Sequence, residues 1–123
     1  MNTEMLQIRW HGRGGQGAKT AATLIAEVAI GAGNYAQGSP QYGAERQGAP
    51  MRAYTRISNE PIREHDAIYT PGVVVVLDDT LLESEAVAEG MTEDGILLVN
   101  SKNSPEQIRE RLSLKKGRIY AVD

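Results

Sequence analysis

The stretch that decides the fold is "RWHGRGGQGAKTAATLIAEVA", Arg9 to Ala29, in which an apolar strand runs through four glycines within Gly12–Gly17 into an alanine-rich helix. Upstream, Leu6, Ile8 and Trp10 alternate with Gln7 and Arg9, the period of a strand. Downstream, Ala18, Ala21, Ala22, Ile25, Val28 and Ala29 share one face at helical spacing, and Gly31, Gly33 and Asn34 mark its end. Small residues on that face let a helix lie close to a sheet. Gly12, Gly14 and Gly17 satisfy G-x-G-x-x-G between a strand and a helix. Glycine permits positive φ, and the first turn of a helix offers free N–H groups and partial positive charge to an anion. Gly12, Arg13, Gly14, Gly15, Gln16 and Gly17 therefore form a candidate phosphate-binding loop, with Lys19 adding charge. Equally, the glycines can serve only to pack the helix tightly on the sheet.

The sharper nucleotide readings fail on particular residues. A dinucleotide site calls for an acid about 20 residues further on, where this chain has Tyr35, Ala36 and Gln37. A P-loop needs Gly-Lys-Ser/Thr contiguous, and Ala18 separates Gly17 from Lys19 and Thr20. Asp78 and Asp79 suit either a Mg²⁺-coordinating strand end or the cap of the next helix.

The rest of the chain alternates strands and helices. Tyr35 to Gln37 is a short strand, Gly38 to Pro50 an ordered loop, and Met51 to Ile57 a strand with a basic face that "NEP" (Asn59 to Pro61) turns towards Ile62 in an antiparallel hairpin. Gly72 to Asp79 and Gly95 to Asn100 read as buried parallel strands. Thr80 with Glu83 predicts a capping box for a helix over Leu81 to Glu89 that Gly90 closes. Ser104, Pro105 and Gln107 cap a helix to Leu112, and Arg118 to Val122 is a last strand. The pattern predicts a three-layer α/β/α fold with a mostly parallel sheet, an antiparallel hairpin and a Rossmann-like glycine loop after the first strand.

Composition bounds the function. With 123 residues and 41% hydrophobic, the chain supports one core. Its net charge of -3 and dispersed basic residues disfavour nucleic acid. No run approaches the ~20 apolar residues that span a bilayer and no signal peptide is visible, so a soluble cytoplasmic protein is expected. There is no cysteine, so no disulfide or iron–sulfur cluster can be ligated from this chain. His11 and His65 form no catalytic set or metal spacing: no catalytic residue and no metal ligand is expected. His11 either contacts a ligand or hydrogen-bonds the backbone. Arg52 and Arg56, with Tyr54 between them, either meet an acidic partner or an anionic substrate, or lie on a solvated face. Glu45 and Arg46 form a bridge that pins their loop, reach across an interface, or are solvated.

Four stretches, "IRWHGRGGQGAKTAATLIAEVA", "YAQGSPQYGAERQGAPMRAYTRIS", "PIREHDAIYTPGVVVVLDDTLL" and "GILLVNS", resemble the gamma subunit of the 2-oxoacid:ferredoxin oxidoreductases, equivalent to the gamma domain of single-chain pyruvate:ferredoxin oxidoreductase. The Tyr42-Gly43-x-Glu45-Arg46-x-Gly48-x-Pro50 segment is its most specific part after the glycine loop. The resemblance implies a complex that cleaves a 2-oxoacid oxidatively on thiamine diphosphate with Mg²⁺, passes electrons through 4Fe-4S clusters to ferredoxin, and hands the acyl group to coenzyme A. It implies that these cofactors sit on alpha, beta and delta-type partner subunits, and that this chain supplies the Gly12–Gly17 contact for coenzyme A together with Ser39, Tyr42, Glu45 and Arg46 at an interface or substrate cleft. A single gamma-type domain over residues 1–123, lacking the family's C-terminal helices, is expected from it. Where pyruvate-type members carry Ala-Phe-Pro-Glu, this chain has Gly38-Ser39-Pro40-Gln41, which admits an oxalate-type substrate without coenzyme A. A stand-alone nucleotide-binding domain and a scaffold whose loop binds nothing are the alternatives.

Overall fold

A computed structural model of the chain describes residues 4–40 and 48–123. In chain order the elements are β1 (Met5–Arg13), α1 (Ala18–Gly31), β2 (Tyr35–Pro40), β3 (Pro50–Ser58), β4 (Val73–Val76), α2 (Leu81–Ser84), β5 (Ile96–Asn100), α3 (Pro105–Leu112) and β6 (Arg118–Val122). The strands form one sheet in the order β2-β3-β1-β4-β5-β6. β1, β4, β5 and β6 run parallel to one another, and β3 is antiparallel to both of its neighbours, β1 and β2.

Alternation along the strands divides the core into two halves. Ile8, Trp10, Ala53 and Val75 face α1 through Ala18 and Ala22. Val74, Val76, Leu97, Val99 and Ile119 face the other way, onto Leu81, Leu82 and Val87 and onto Ile108 of α3. The sheet is thus covered on both faces at β1 and β4, where a buried strand must hide two apolar sides, whereas on the α1 side of β5 and β6 Leu98 is half-buried and Tyr120 and Val122 are exposed. No helix among the described residues is long and apolar enough to cross a membrane.

α1 seats closely because its sheet-facing residues are alanines: Ala18, Ala22, Ala26 and Ala29 are buried. The approach is close enough that a Cβ on Gly38 would stand 2.8 Å from the carbonyl oxygen of Ala22 and 2.9 Å from Cα of Thr23. A short polar chain fixes the contact, with Trp10 Nε1 donating to Thr55 Oγ1 (3.0 Å) and Thr55 Oγ1 donating to the Ala22 carbonyl (2.9 Å). Thr55 is fully buried, so these bonds satisfy a hydroxyl that would otherwise be costly there.

Several local expectations change, beginning with Gly38–Pro40, expected in the loop, which continue β2, and Pro50, which opens β3. The antiparallel partner of Met51–Ile57 is Tyr35–Pro40, paired from Tyr35↔Ser58 to Pro40↔Ala53, and residues 59–62 form no strand. The chain from Asn59 crosses the sheet instead, because the outer edge of β3 is already taken by β2. The helix predicted over Leu81–Glu89 stops at Ser84, and Glu85 is extended. The carbonyls of Val87 and Glu89 are drawn to the Arg9 guanidinium instead (2.9 and 2.6 Å), and a residue whose carbonyl is claimed from outside is lost to the helix ladder. The Thr80–Glu83 capping box is also absent: Thr80 makes no cap bond, and its hydroxyl donates to Asp78 Oδ1 (2.6 Å). By contrast, the Ser104–Gln107 capping box forms as expected, with proline in the first turn of α3.

Adding one methyl at Gly38 forces α1 away from β2 at a backbone contact that cannot yield by side-chain rotation. Gly38→Ala is expected to lower stability by about 1–3 kcal/mol, the range of overpacked sites, which denaturant unfolding measures; an unchanged midpoint would show that the helix is not held at this spacing.

Candidate functional site

The connections around the sheet leave β1 and β4 on opposite faces. β1 leads into α1 on one side, whereas β4 leads into α2 on the other. Between the carboxyl ends of these adjacent parallel strands lies the crevice in which open α/β sheets place their ligands. The glycine turn, Leu77–Thr80 and the Asn100–Ser101 end of β5 meet there. The C-terminal end of β2 and the start of β3 are at the same end of the sheet.

The glycine segment is shorter as a loop than the motif suggests. Gly12 and Arg13 belong to β1, paired with Met51 and Pro50. Gly12 lies within the strand, where an added Cβ would meet Ala18 Cβ and Leu77 Cδ1 at 3.4 Å, the near limit of van der Waals contact. The turn itself is Gly14–Gly17, with Gly15 at φ 90 and Gly17 at φ 92, a left-handed conformation that strains any other residue. Gly17 is the N-cap of α1, and no side chain caps that terminus. Lys19 lines a groove on the outer side of α1 with Thr20, Thr23, Leu24 and Glu27.

Arg13 is the hub of this end. Its backbone N–H donates to Gln16 Oε1 (2.7 Å), while its guanidinium donates to Thr80 Oγ1 (2.9 Å from Nη2) and to the Gly48 carbonyl (3.0 Å). It also forms an ion pair with Asp78 at 3.3 Å. Gln16 Nε2 donates to the same oxygen, Asp78 Oδ2 (2.8 Å), and Thr80 donates to Oδ1 through both N–H and hydroxyl. The Thr80 hydroxyl, Gln16 amide and Thr80 N–H hold the Asp78 pKa down to about 2, with Arg13 adding to them. Asp78 is therefore a carboxylate at neutral pH. Asp78 accepts from the Thr80 N–H (3.0 Å) in the turn before α2, whose terminus has no side-chain cap bond, while Asp79 accepts from Ser101 Oγ (2.8 Å). Gly14 and Gly48 complete the end by exchange of backbone bonds, Gly14 N–H to Ala49 carbonyl (2.8 Å) and Gly48 N–H to Gly14 carbonyl (3.0 Å).

Of the residues expected at a site, Arg13, Gly14 and Gln16 are thus brought together. Ser39, on β2, pairs in register with Tyr54. Tyr42, Glu45 and Arg46, with the bridge expected of the last two, lie outside the described residues. Sequence reasoning missed Thr80 and Gly48 as partners of Arg13, because nothing local signals a guanidinium reaching residues 67 and 35 positions away. Among the described residues no group of three His, Asp or Glu side chains is placed to hold a metal ion.

The other face of β1 carries Arg9 and His11. Arg9 is fully enclosed, its Nε donating to His11 Nε2 (3.0 Å), Nη1 to the Ile68 carbonyl (3.3 Å), and Nη2 to the Val87 and Glu89 carbonyls. Burial, then Arg9 and Arg52, push the His11 pKa down to about 3, so the ring is neutral and accepts at Nε2. Its partner is a side chain, not the backbone. Arg56 and Tyr54 are buried, and Arg56 donates to the Asp66 carbonyl (2.9 Å), the Asp66 carboxylate (3.3 Å) and Gln7 Oε1 (3.1 Å). The basic face of β3 is neither solvated nor available at Arg56.

The family model described as "Pyruvate ferredoxin/flavodoxin oxidoreductase" matches residues 7–123. The chain is 55% identical over 117 residues to the pyruvate synthase subunit PorC of Thermotoga maritima, covering 95% of this chain and 60% of that one. It is 51% identical over 119 residues to the pyruvate/ketoisovalerate oxidoreductases common subunit gamma of Pyrococcus abyssi, covering 97% and 64%. The crystal structure of the Thermotoga maritima pyruvate oxidoreductase subunit PORC superposes with a TM-score of 0.82 at 50% identity, covering 98% of this chain and 62% of that one. The chain therefore spans less than two thirds of the length of these relatives.

The folded pKa of His11 lies below the ordinary value of 6.5, so the unfolded chain binds the extra proton. Stability from this group is complete above pH 6.5 and is lost as pH falls towards 3. Denaturation midpoints should decline between pH 6.5 and 4, and His11→Asn should flatten that decline. Equal slopes for the two proteins would show that His11 is not a buried neutral ring.

Proposed function

The chain belongs to the pyruvate ferredoxin/flavodoxin oxidoreductase family, and from that premise we propose that it is the gamma component of a multisubunit 2-oxoacid:ferredoxin oxidoreductase acting on a 2-oxoacid such as pyruvate. The observation that carries this reading is the glycine turn at the junction of β1 and α1, in a chain without cysteine. Such a chain lends shape and backbone dipoles to a cleft whose electron carriers are held by companion subunits. Thiamine diphosphate, Mg²⁺ and the 4Fe-4S clusters belong on the alpha, beta and delta-type chains, with ferredoxin as the acceptor of the whole. Family membership does not favour the stand-alone nucleotide-binding alternative.

Coenzyme A is the group for which this chain has a fit. The α1 N-terminus is free of a side-chain cap, and Gly15 and Gly17 give a phosphate close access to the backbone. Bound there, coenzyme A supplies the thiol that accepts the acyl group. This chain's part is to bind and orient its phosphates with the Gly14–Gly17 turn and the first turn of α1. Arg13 contributes less than its charge suggests, because Asp78 already neutralises it. That carboxylate, ionised and beside the turn, opposes an incoming phosphate. Ser39, Tyr42, Glu45 and Arg46 are assigned to the interface or substrate cleft on the family pattern. Gly38, where pyruvate-type members have alanine, has a packing cause here in its contact with Ala22; the replacement therefore says less about substrate than the motif alone implies.

The charge balance gives a directional test. In the assembled enzyme, Asp78→Asn removes the opposing charge and releases Arg13, so the KM for coenzyme A should fall several-fold with kcat for 2-oxoacid decarboxylation little changed. A KM that stays the same would remove the turn from the coenzyme A site, and an enzyme fully active without coenzyme A would favour the oxalate-type substrate.

A further inference from the structure

Arg52 is a half-buried cation that the site above does not use. It stands on β3 directly opposite His11 in the β1–β3 register, with Arg9 opposite Tyr54 and Gln7 opposite Arg56. Alternation along both strands puts Arg52, Tyr54, Arg56, Arg9 and His11 on one face of the sheet. The charges on this face are not treated alike. Arg56 has Asp66, and every nitrogen of Arg9 is spent on His11 or on carbonyls. Arg52 is half-buried, and among the described residues it has neither an ion pair nor a side-chain hydrogen bond. His11 beside it is neutral and Arg9 is a second positive charge, so the neighbourhood repels rather than compensates it. The influence of Arg52 reaches both of them: it lowers the pKa of Arg9 and of His11. Glu89, near Arg9, is exposed and makes no ion pair with Arg52.

We propose that Arg52 is a docking point for a single carboxylate, an aspartate or glutamate side chain of a companion subunit, which completes the charge balance of this face on assembly. The inference rests on the reading of the chain as one component of a multisubunit enzyme. A carboxylate is the occupant that fits because, among the described residues, only one guanidinium on this face is uncommitted, and one planar fork binds one carboxylate through two parallel hydrogen bonds. A phosphate, with more charge and three acceptor oxygens, calls for further donors that Arg9 has no nitrogen left to give. Partial burial makes the pair worth more than a solvated surface bridge. It also gives the isolated chain an unrelieved cation, so Arg52 works against the stability of the free component and for that of the complex.

The test compares wild type, Arg52→Gln, Arg52→Lys and Arg52→Glu, each as the full gamma chain combined with its companion subunits, by affinity measurement at low and high salt. The expected result is a loss of at least about tenfold in affinity for Arg52→Gln, a larger loss for Arg52→Glu, partial retention for Arg52→Lys, and a weaker salt dependence in the neutral variant. Thermal unfolding of the isolated chains should show Arg52→Gln at least as stable as wild type, which separates lost docking from lost folding. Wild-type affinity in Arg52→Gln and Arg52→Glu would overturn the proposal while leaving the subunit reading intact. Failure of the wild-type chain to bind companion subunits at all would overturn that reading and the proposal with it. Stabilisation of the isolated chain by inorganic phosphate, abolished in Arg52→Gln, would reassign the site to a small anion and overturn the partner carboxylate.

Discussion

A guanidinium buried at the centre of the sheet organises one whole face of this protein. Arg9 cannot lose its charge and cannot be left without acceptors. The chain meets that requirement with no acid in contact, bringing the carbonyls of Ile68, Val87 and Glu89 and the ring of His11 to it. The carbonyls come from both segments that cross this face, the one between β3 and β4 and the one after α2. The interaction therefore cuts α2 short, adds to the burial that keeps His11 neutral, and leaves the face positively charged where Arg52 joins it.

The opposite face depends on size instead of charge. Four alanines, Gly38 and the Trp10–Thr55–Ala22 chain bring α1 down onto β1, β2 and β3. That seating sets where the helix begins, and so where the Gly14–Gly17 turn stands relative to the ends of β4 and β5. A site at this end of the sheet follows from two constraints that share only the strand β1: a close helix on one side and a captured crossover on the other.

The two constraints meet at Arg13 and Asp78. The turn offers backbone N–H groups, while the side chains beside it are already matched to one another, with Arg13 held by Thr80, Gly48 and Asp78. On the proposed reading, an anion at this position would compete with an internal carboxylate.

Much of the fold was legible from neighbouring residues. Period-two alternation placed β1 and β3, the continuous β-branched run placed β4, and the Ser104–Gln107 box placed the start of α3, because each depends on groups a few positions apart. The glycines likewise announced a turn into a helix, with positive φ at Gly15 and Gly17. The antiparallel partner of β3, the end of α2 and the fate of every central arginine were not legible. Arg9 reaches carbonyls 59, 78 and 80 positions away, and Arg13 reaches Thr80 67 positions away. Sequence alone thus determined the elements and their order, since local hydrogen bonding and side-chain alternation decide those. Only the tertiary structure decided which charges are spent inside the fold and which remain for another molecule, because a buried cation takes whichever acceptors the folded chain brings within reach.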